Sequence, residues 1–391
     1  MPPVSEVPLI ATVLPPGEGF GPGRTGAVGL IVRRLARVLP GLVLGGPQSG
    51  PVFDDVPFTA VRSARWLLGN VNSRYAAGVA RVLRTLSPAL IEVHNRTEIA
   101  LSLARRFPNT PVVLFLHNDP QSMRHARRPD QRRRLLDRLA RVVTVSEYLR
   151  DRLLGGIEAP TWRAPMVLAN PIDMAALPAA GRRDPVITFA GRVVAEKGAD
   201  VFVAACALAL PQLPGWRAEL IGADRFRADS PETRYVRDVR AAAARGGVHV
   251  LGYRDHPEVL AALSRSAIAV VPSRWAEPFG LAALEAMACG AALICSDRGG
   301  LPEVVGDAAL RVDPDDAAGM ARMIVALARD PDRLAALSAA GRARARGFGV
   351  EAAAVRLASL RRQILAAAGG AGGRVGQPAL YMSRQNGLEQ G

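Results

Sequence analysis

Residues Ala267–Asp297 read AIAVVPSRWAEPFGLAALEAMACGAALICSD. An apolar run ends at Val271, a polar loop carries the chain to Gly280, Leu281–Ala288 is rich in strong helix formers, and a second apolar run ends at Ile294. Strand, loop, helix and strand in succession make a βαβ unit. Strands without polar alternation must be covered on both faces, which predicts a parallel sheet between two layers of helices. Working outward, the same reading gives strands in PVITFAGRV (Pro185 onward), WRAELIGAD (Trp216), GVHVLGY (Gly247) and ALRVDPDD (Ala309), with helical segments between most of them. Upstream, PLIATVLPP (Pro8), ALIEVHN (Ala89), PVVLFLHND (Pro111) and RVVTVSE (Arg141) form a second series.

The fold class is therefore α/β, with two doubly wound, Rossmann-like domains. The expected division is an N-terminal domain over 1–170, a Pro/Ala/Gly-rich linker over 171–184 and a C-terminal domain over 185–350. A helix over 351–366 can return to the first domain, and a Gly/Ala-rich flexible tail covers 367–391. In such sheets ligands bind beyond the carboxyl ends of the strands, so the loops after Val13, Leu116, Ala190, Ile221, Val271 and Ile294 are where chemistry is sought.

The chain of 391 residues is 49% hydrophobic and 22% charged, which excludes disorder, collagen-like repeats and a disulfide scaffold. Cys206, Cys289 and Cys295 lie in apolar surroundings without Cys-x-x-Cys spacing and read as small buried residues. No apolar run reaches transmembrane length and the first residues lack a basic n-region, so a cytoplasmic protein is expected, soluble or attached to a membrane surface. The net charge of +15 is uneven: residues 1–170 carry 23 arginines against 12 acids, residues 171–391 carry 27 basic against 23 acidic residues. Such a field attracts nucleic acid, anionic lipid or phosphorylated substrate. Lys197 is the only lysine among 50 basic residues.

That lysine lies in FAGRVVAEKG, Phe189–Gly198, where Gly191 ends a strand and Arg192 and Lys197 can converge on one anion such as a diphosphate; two solvated cations on a turn are the alternative. In Val270–Gly290, Glu277 falls in the loop and Glu285 in the second turn of the helix. Glu285 can accept from a vicinal diol such as a ribose, Glu277 from sugar hydroxyls, and the backbone N–H groups of Phe279, Gly280 and Leu281 suit a phosphate. Complementarity of two glutamates to the helix dipole is the plainer account. In the first domain the candidates are Gly26 and Gly29 in a glycine-rich loop, His94 and, better framed at a strand end, His117. Asp315 and Asp316 in DPDD read as helix caps rather than metal ligands.

Taken together, GRVVAEKG, LIGAD, VLGYRD, the Val270–Gly290 segment and SDRGGLPEVV resemble, in order, the retaining nucleotide-sugar glycosyltransferases of family 4, which have the GT-B architecture of two domains facing across a cleft. VVTVSE, LANPID and the His117 strand extend the likeness upstream. The resemblance implies that Arg192 and Lys197 bind the donor diphosphate, Glu285 the ribose and Glu277 the transferred sugar, with His117 reaching that sugar from the facing domain. Gly26 would be the first-domain phosphate contact. It implies retention of configuration, a nucleotide diphosphate sugar such as UDP-glucose or GDP-mannose as donor substrate, no cofactor and no metal. The implied acceptor is a saccharide or lipid-linked saccharide of bacterial surface polysaccharide or lipopolysaccharide at the inner membrane face.

This sequence departs from the family in RTGAVGLIV, which has Gly29 where a glutamate is expected, and in ANPID where PNG is common. The segment Met123–Val143, with eight arginines beside Leu135, Leu136 and Leu139, reads either as a membrane-surface helix or as a solvated face packed on the domain by its leucines. Competing functions are an epimerase of the same fold, a phosphorylase, disfavoured because no lysine remains for a pyridoxal Schiff base, and a nucleic-acid binder. The last is disfavoured because aromatics do not interleave the basic runs.

Overall fold

The structure, a computed structural model, describes residues 8–64, 68–158, 163–179, 181–225 and 229–370. The apolar runs form two parallel sheets. The first contains β1 (Ile10–Val13), β2 (Leu42–Gly45), β3 (Phe58–Ala60), β4 (Leu90–His94), β5 (Val112–Leu116), β6 (Arg141–Thr144) and β7 (Met166–Val167), ordered β3-β2-β1-β4-β5-β6-β7. The second contains β8 (Asp184–Ala190), β9 (Arg217–Ile221), β10 (Val248–Gly252), β11 (Ser266–Val271), β12 (Ala292–Cys295) and β13 (Ala309–Arg311), ordered β10-β9-β8-β11-β12-β13. In each, order reverses about the first strand, and the switch opens a crevice at the carboxyl ends.

Helices cover both faces. On the first sheet, α2 (Val71–Leu86), α3 (Thr97–Arg106), α4 (Pro129–Arg138) and α5 (Glu147–Leu154) bury one side through Tyr75, Leu83, Ile99, Leu103, Leu135 and Leu153, while α1 (Ala27–Ala36) covers the other. On the second, α6 (Ala199–Ala209) and α7 (Arg234–Arg245) share one core with α11 (Ala317–Ala328). The opposite core holds α8 (His256–Arg265), α9 (Leu281–Cys289) and α10 (Leu301–Val305), with Ala345 of α12 (Pro331–Arg346). All three cysteines are buried and free.

The last helix, α13 (Val350–Gly370), follows the second sheet in sequence but packs on the first. Ala353, Leu357, Leu360 and Ile364 join Ile10, Ile31, Leu90 and Phe115 in one buried cluster. The helix continues through 367–370, where a tail is expected; 371–391 lie outside the described residues. Where the chain crosses between the sheets in both directions, the two crossings pair. Ile172 N–H donates to Phe348 O at 2.8 Å, and Val350 N–H to Ile172 O at 3.1 Å.

The arginine-rich segment resolves in favour of packing. Leu135, Leu136 and Leu139 are in the core, so the apolar stripe is unavailable to lipid. Arg132 is buried too, its guanidinium donating to the carbonyls of Leu153, Ala126 and Arg127 at 2.7–3.2 Å and to Gly155 O. Arg124, Arg127, Arg128, Arg133, Arg134 and Arg138 stay exposed. No described helix is long and apolar enough to cross a membrane.

Candidate active site

The loop after β8 is pressed against the loops after β9 and β11 at glycines. Gly222 after β9 has φ +142, and a Cβ there would lie 1.8 Å from Gly191 O, so backbone alone fits at this crossing. Gly198, at φ +70, abuts Pro272 O in the same way. That contact seats the Ala195–Lys197 turn on the loop after β11, where Glu196 O accepts from Arg274 N–H (2.9 Å) and Trp275 N–H (3.0 Å).

Lys197 Nζ thereby reaches Glu277 Oε1 at 2.5 Å, and Ser273 Oγ donates to the same oxygen at 2.6 Å. Lys197 is thus turned onto Glu277, a pairing that the expected convergence with Arg192 did not include. Glu277 is buried, and its backbone is held from the far side: Gly300 N–H donates to Glu277 O at 2.7 Å. Gly280 caps α9 at φ +107, leading into the Leu281 end of the helix, with Phe279 buried before it.

Glu285 sits in the second turn of α9, as its spacing requires, and is also buried. Its Oε1 is 2.8 Å from His256 Nε2 and 3.1 Å from Arg34 Nη2. Burial opposes ionisation, but the hydrogen bond from His256 and the charges of His256 and Arg34 outweigh it and hold the carboxyl below its ordinary range. Arg34 belongs to α1, so this bond joins the two domains; Tyr253 OH also bridges them, donating to Gly23 O at 2.9 Å. Ser146 Oγ adds a bond to Pro278 O at 2.5 Å, and Glu303 accepts from the N–H groups of Glu147 and Tyr148 at 2.7 and 2.6 Å.

Around Gly26 the amino end of α1 already meets a carboxylate. Glu18 Oε1 accepts from Gly29 N–H at 2.9 Å, and burial pushes its carboxyl up against the pull of the Gly29 and Gly26 amides and Arg96. His94 and His117 end β4 and the strand after it, with His94 Nδ1 and His117 Nε2 3.0 Å apart. Asp316 caps α11 through Gly319 N–H, whereas Asp315 pairs with Arg274 instead of capping.

Burial, and for His94 the charge of Arg361, keep both histidines neutral; His94 is taken down to about 3 and His117 well below its ordinary value. An unfolded chain binds these protons below about pH 6.5. Stability is therefore full above that value and falls as pH drops toward the folded value, by about 1.4 kcal/mol per pH unit for His94, with His117 adding in the same sense. Denaturant titrations at pH 7, 6 and 5 check this: His94→Gln flattens the dependence, and an unchanged slope refutes it.

Sequence reasoning missed Glu18, Arg34, Ser273 and His256. Glu18 and His256 lie just past the carboxyl ends of β1 and β10, where position alone marks candidates. Arg34 offers no such signal.

With this geometry in view, residues 178–344 match the family Glycosyl transferases group 1 and residues 30–175 match Glycosyltransferase Family 4. The chain belongs to glycosyltransferase family 4. Among relatives of this family 4 chain, it is 35% identical to a glycogen synthase of Mycobacterium tuberculosis over 175 residues, 42% of this chain and 40% of that protein. It is 32% identical to the lipopolysaccharide core biosynthesis mannosyltransferase LpsB of Rhizobium meliloti over 192 residues, 46% of this chain and 53% of the relative. The chain thus spans about half the length of the curated relatives it matches. The crystal structure of Anabaena HepE with UDP and glucose superposes with a TM-score of 0.73 at 19% identity, covering 91% of this chain and all of that one. That likeness establishes the fold, GT-B.

Proposed function

We propose that this protein moves a hexose from a nucleoside diphosphate sugar to a saccharide or lipid-linked saccharide, with retention of configuration and without a metal. The observation that carries the reading is the cluster of Lys197, Glu277 and Ser273 beside the amino end of α9, with Glu285 in the second turn of that helix. The name of LpsB supports a surface-polysaccharide acceptor, and the UDP complex of HepE supports a nucleoside diphosphate donor.

In this reading the ribose diol takes the carboxylate of Glu285, displacing Arg34, so donor entry loosens one bridge between the domains. Arg192, Lys197 and the N–H groups of Phe279 to Leu281 stabilise the departing diphosphate, a role that falls to a metal in other folds. Glu277 orients the sugar hydroxyls from one side and His117 from the other. Closure excludes water that would hydrolyse the donor. The acceptor hydroxyl attacks on the face the diphosphate leaves. The protein works at the cytoplasmic face of the membrane, and the exposed arginines of α4 meet anionic acceptor or lipid by charge alone.

Calorimetry and thermal shift with UDP, GDP, ADP and their sugar conjugates, in EDTA, test this. One nucleotide at a hundredfold excess over its Kd stabilises the protein by about 2.7 kcal/mol, and Glu285→Ala weakens it. Failure of all of them to bind refutes the donor site.

A further inference from the structure

His94 and His117 form a pair whose hydrogen bonding is mutually determined. His94 stacks on Phe115 with ring centroids 4.6 Å apart and planes 8° from parallel, which fixes its ring. Its Nδ1 meets His117 Nε2 at 3.0 Å. The backbone of His117 is pinned separately, its N–H donating to Asn95 Oδ1 at 3.2 Å. Both side chains are buried, and His117 Nδ1, itself buried, has no hydrogen-bond partner among the described residues. A buried polar atom left in this way costs free energy that a bound group recovers.

Two neutral imidazoles share a single proton across such a contact. If His94 carries it on Nδ1, His117 accepts at Nε2 and must bear its own proton at Nδ1, which then donates. If His117 carries it on Nε2, its Nδ1 is a bare acceptor. The state of His94 therefore dictates what the unpartnered nitrogen offers a ligand.

We propose that His94 is a positioning residue for the transferred sugar, locking the ring plane and tautomer of His117 so that its Nδ1 presents one defined hydrogen-bonding role to a sugar hydroxyl. This rests on the reading above that His117 faces that sugar. His94 itself touches no substrate, and its effect passes wholly through its neighbour.

The test is a double-mutant cycle on the full chain, following slow hydrolysis of UDP-glucose and GDP-mannose as release of UDP or GDP. His94→Ala is expected to lower kcat about tenfold, with nucleotide Kd within about twofold, because misorientation and not nucleotide contact is lost. His94→Asn, whose amide lies where Nδ1 was, recovers most of that loss. In a His117→Ala background, His94→Ala has no further effect. A full, additive loss in that background overturns the proposal and makes His94 merely structural. An unaffected kcat in His117→Ala alone refutes the reading of His117 and the proposal with it. Should His94→Ala not fold, His94→Leu, which restores volume, takes its place in the cycle.

Discussion

Glu277→Gln lowers donor turnover by about 10²–10³-fold, the size of effect seen when one preorganised electrostatic group is removed from a reaction centre. Affinity for the free nucleoside diphosphate does not fall. The two parts of this result have opposite origins. The amide keeps the shape and can still accept from Ser273 Oγ, and the peptide of Glu277 remains tied to Gly300, so the loop stays in place. What disappears is the negative charge 2.5 Å from Lys197 Nζ. An ammonium relieved of its carboxylate attracts a diphosphate more strongly, while the sugar loses the acceptor that orients it. Lys197→Met reverses the pattern, weakening nucleotide binding. Calorimetry with the nucleotide and single-turnover rates with its sugar conjugate separate the two. Equal losses in Kd and turnover on Glu277→Gln would mean that the side chain only scaffolds the loop.

Most of what positions this site is legible because it is local. A buried parallel strand must be an apolar run, and its carboxyl end is marked by the first glycine or polar residue, so the loops at Gly191, Glu277 and His117 could be located from composition alone. The placement of Glu277 and Glu285 followed from where α9 begins. Arg34 could not be found this way, since 251 residues separate it from Glu285 and nothing in LIVRRLARVLP distinguishes it from Arg33, which pairs with Asp55. The Lys197–Glu277 bond was hidden for a related reason, as it depends on the close approach that Gly198 permits between two loops. In α4 the pattern itself was ambiguous: a leucine stripe flanked by arginines satisfies a core and a bilayer equally. The deciding fact is the buried guanidinium of Arg132 among the carbonyls that end α5.

The second large effect concerns α13. Arg361→Leu destabilises the protein by about 3–5 kcal/mol, because it leaves a carboxylate buried without its counter-charge. Arg361 donates through Nε and Nη2 to Glu92 Oε1 and Oε2 at 2.8 and 2.7 Å, a fork that the planar guanidinium fits, and Thr12 Oγ1 adds one bond at 3.2 Å. Glu92 is 2% exposed and lies in the middle of β4, so water cannot replace the lost partner. Thermal unfolding should show a fall in Tm on the order of 10 °C. The double variant Glu92→Leu, Arg361→Leu recovers much of the loss, since no charge then remains to be solvated; a double variant as unstable as the single would place the effect in packing instead. The pair matters beyond stability. It anchors α13 to the first sheet, and the crossing that delivers α13 is bonded at Ile172 to the one that leaves that sheet. The domains are thus joined by two segments hydrogen-bonded to each other at Ile172. If a donor opens the Arg34–Glu285 bridge as proposed, freeing α13 should blunt donor turnover at temperatures where the variant is still folded.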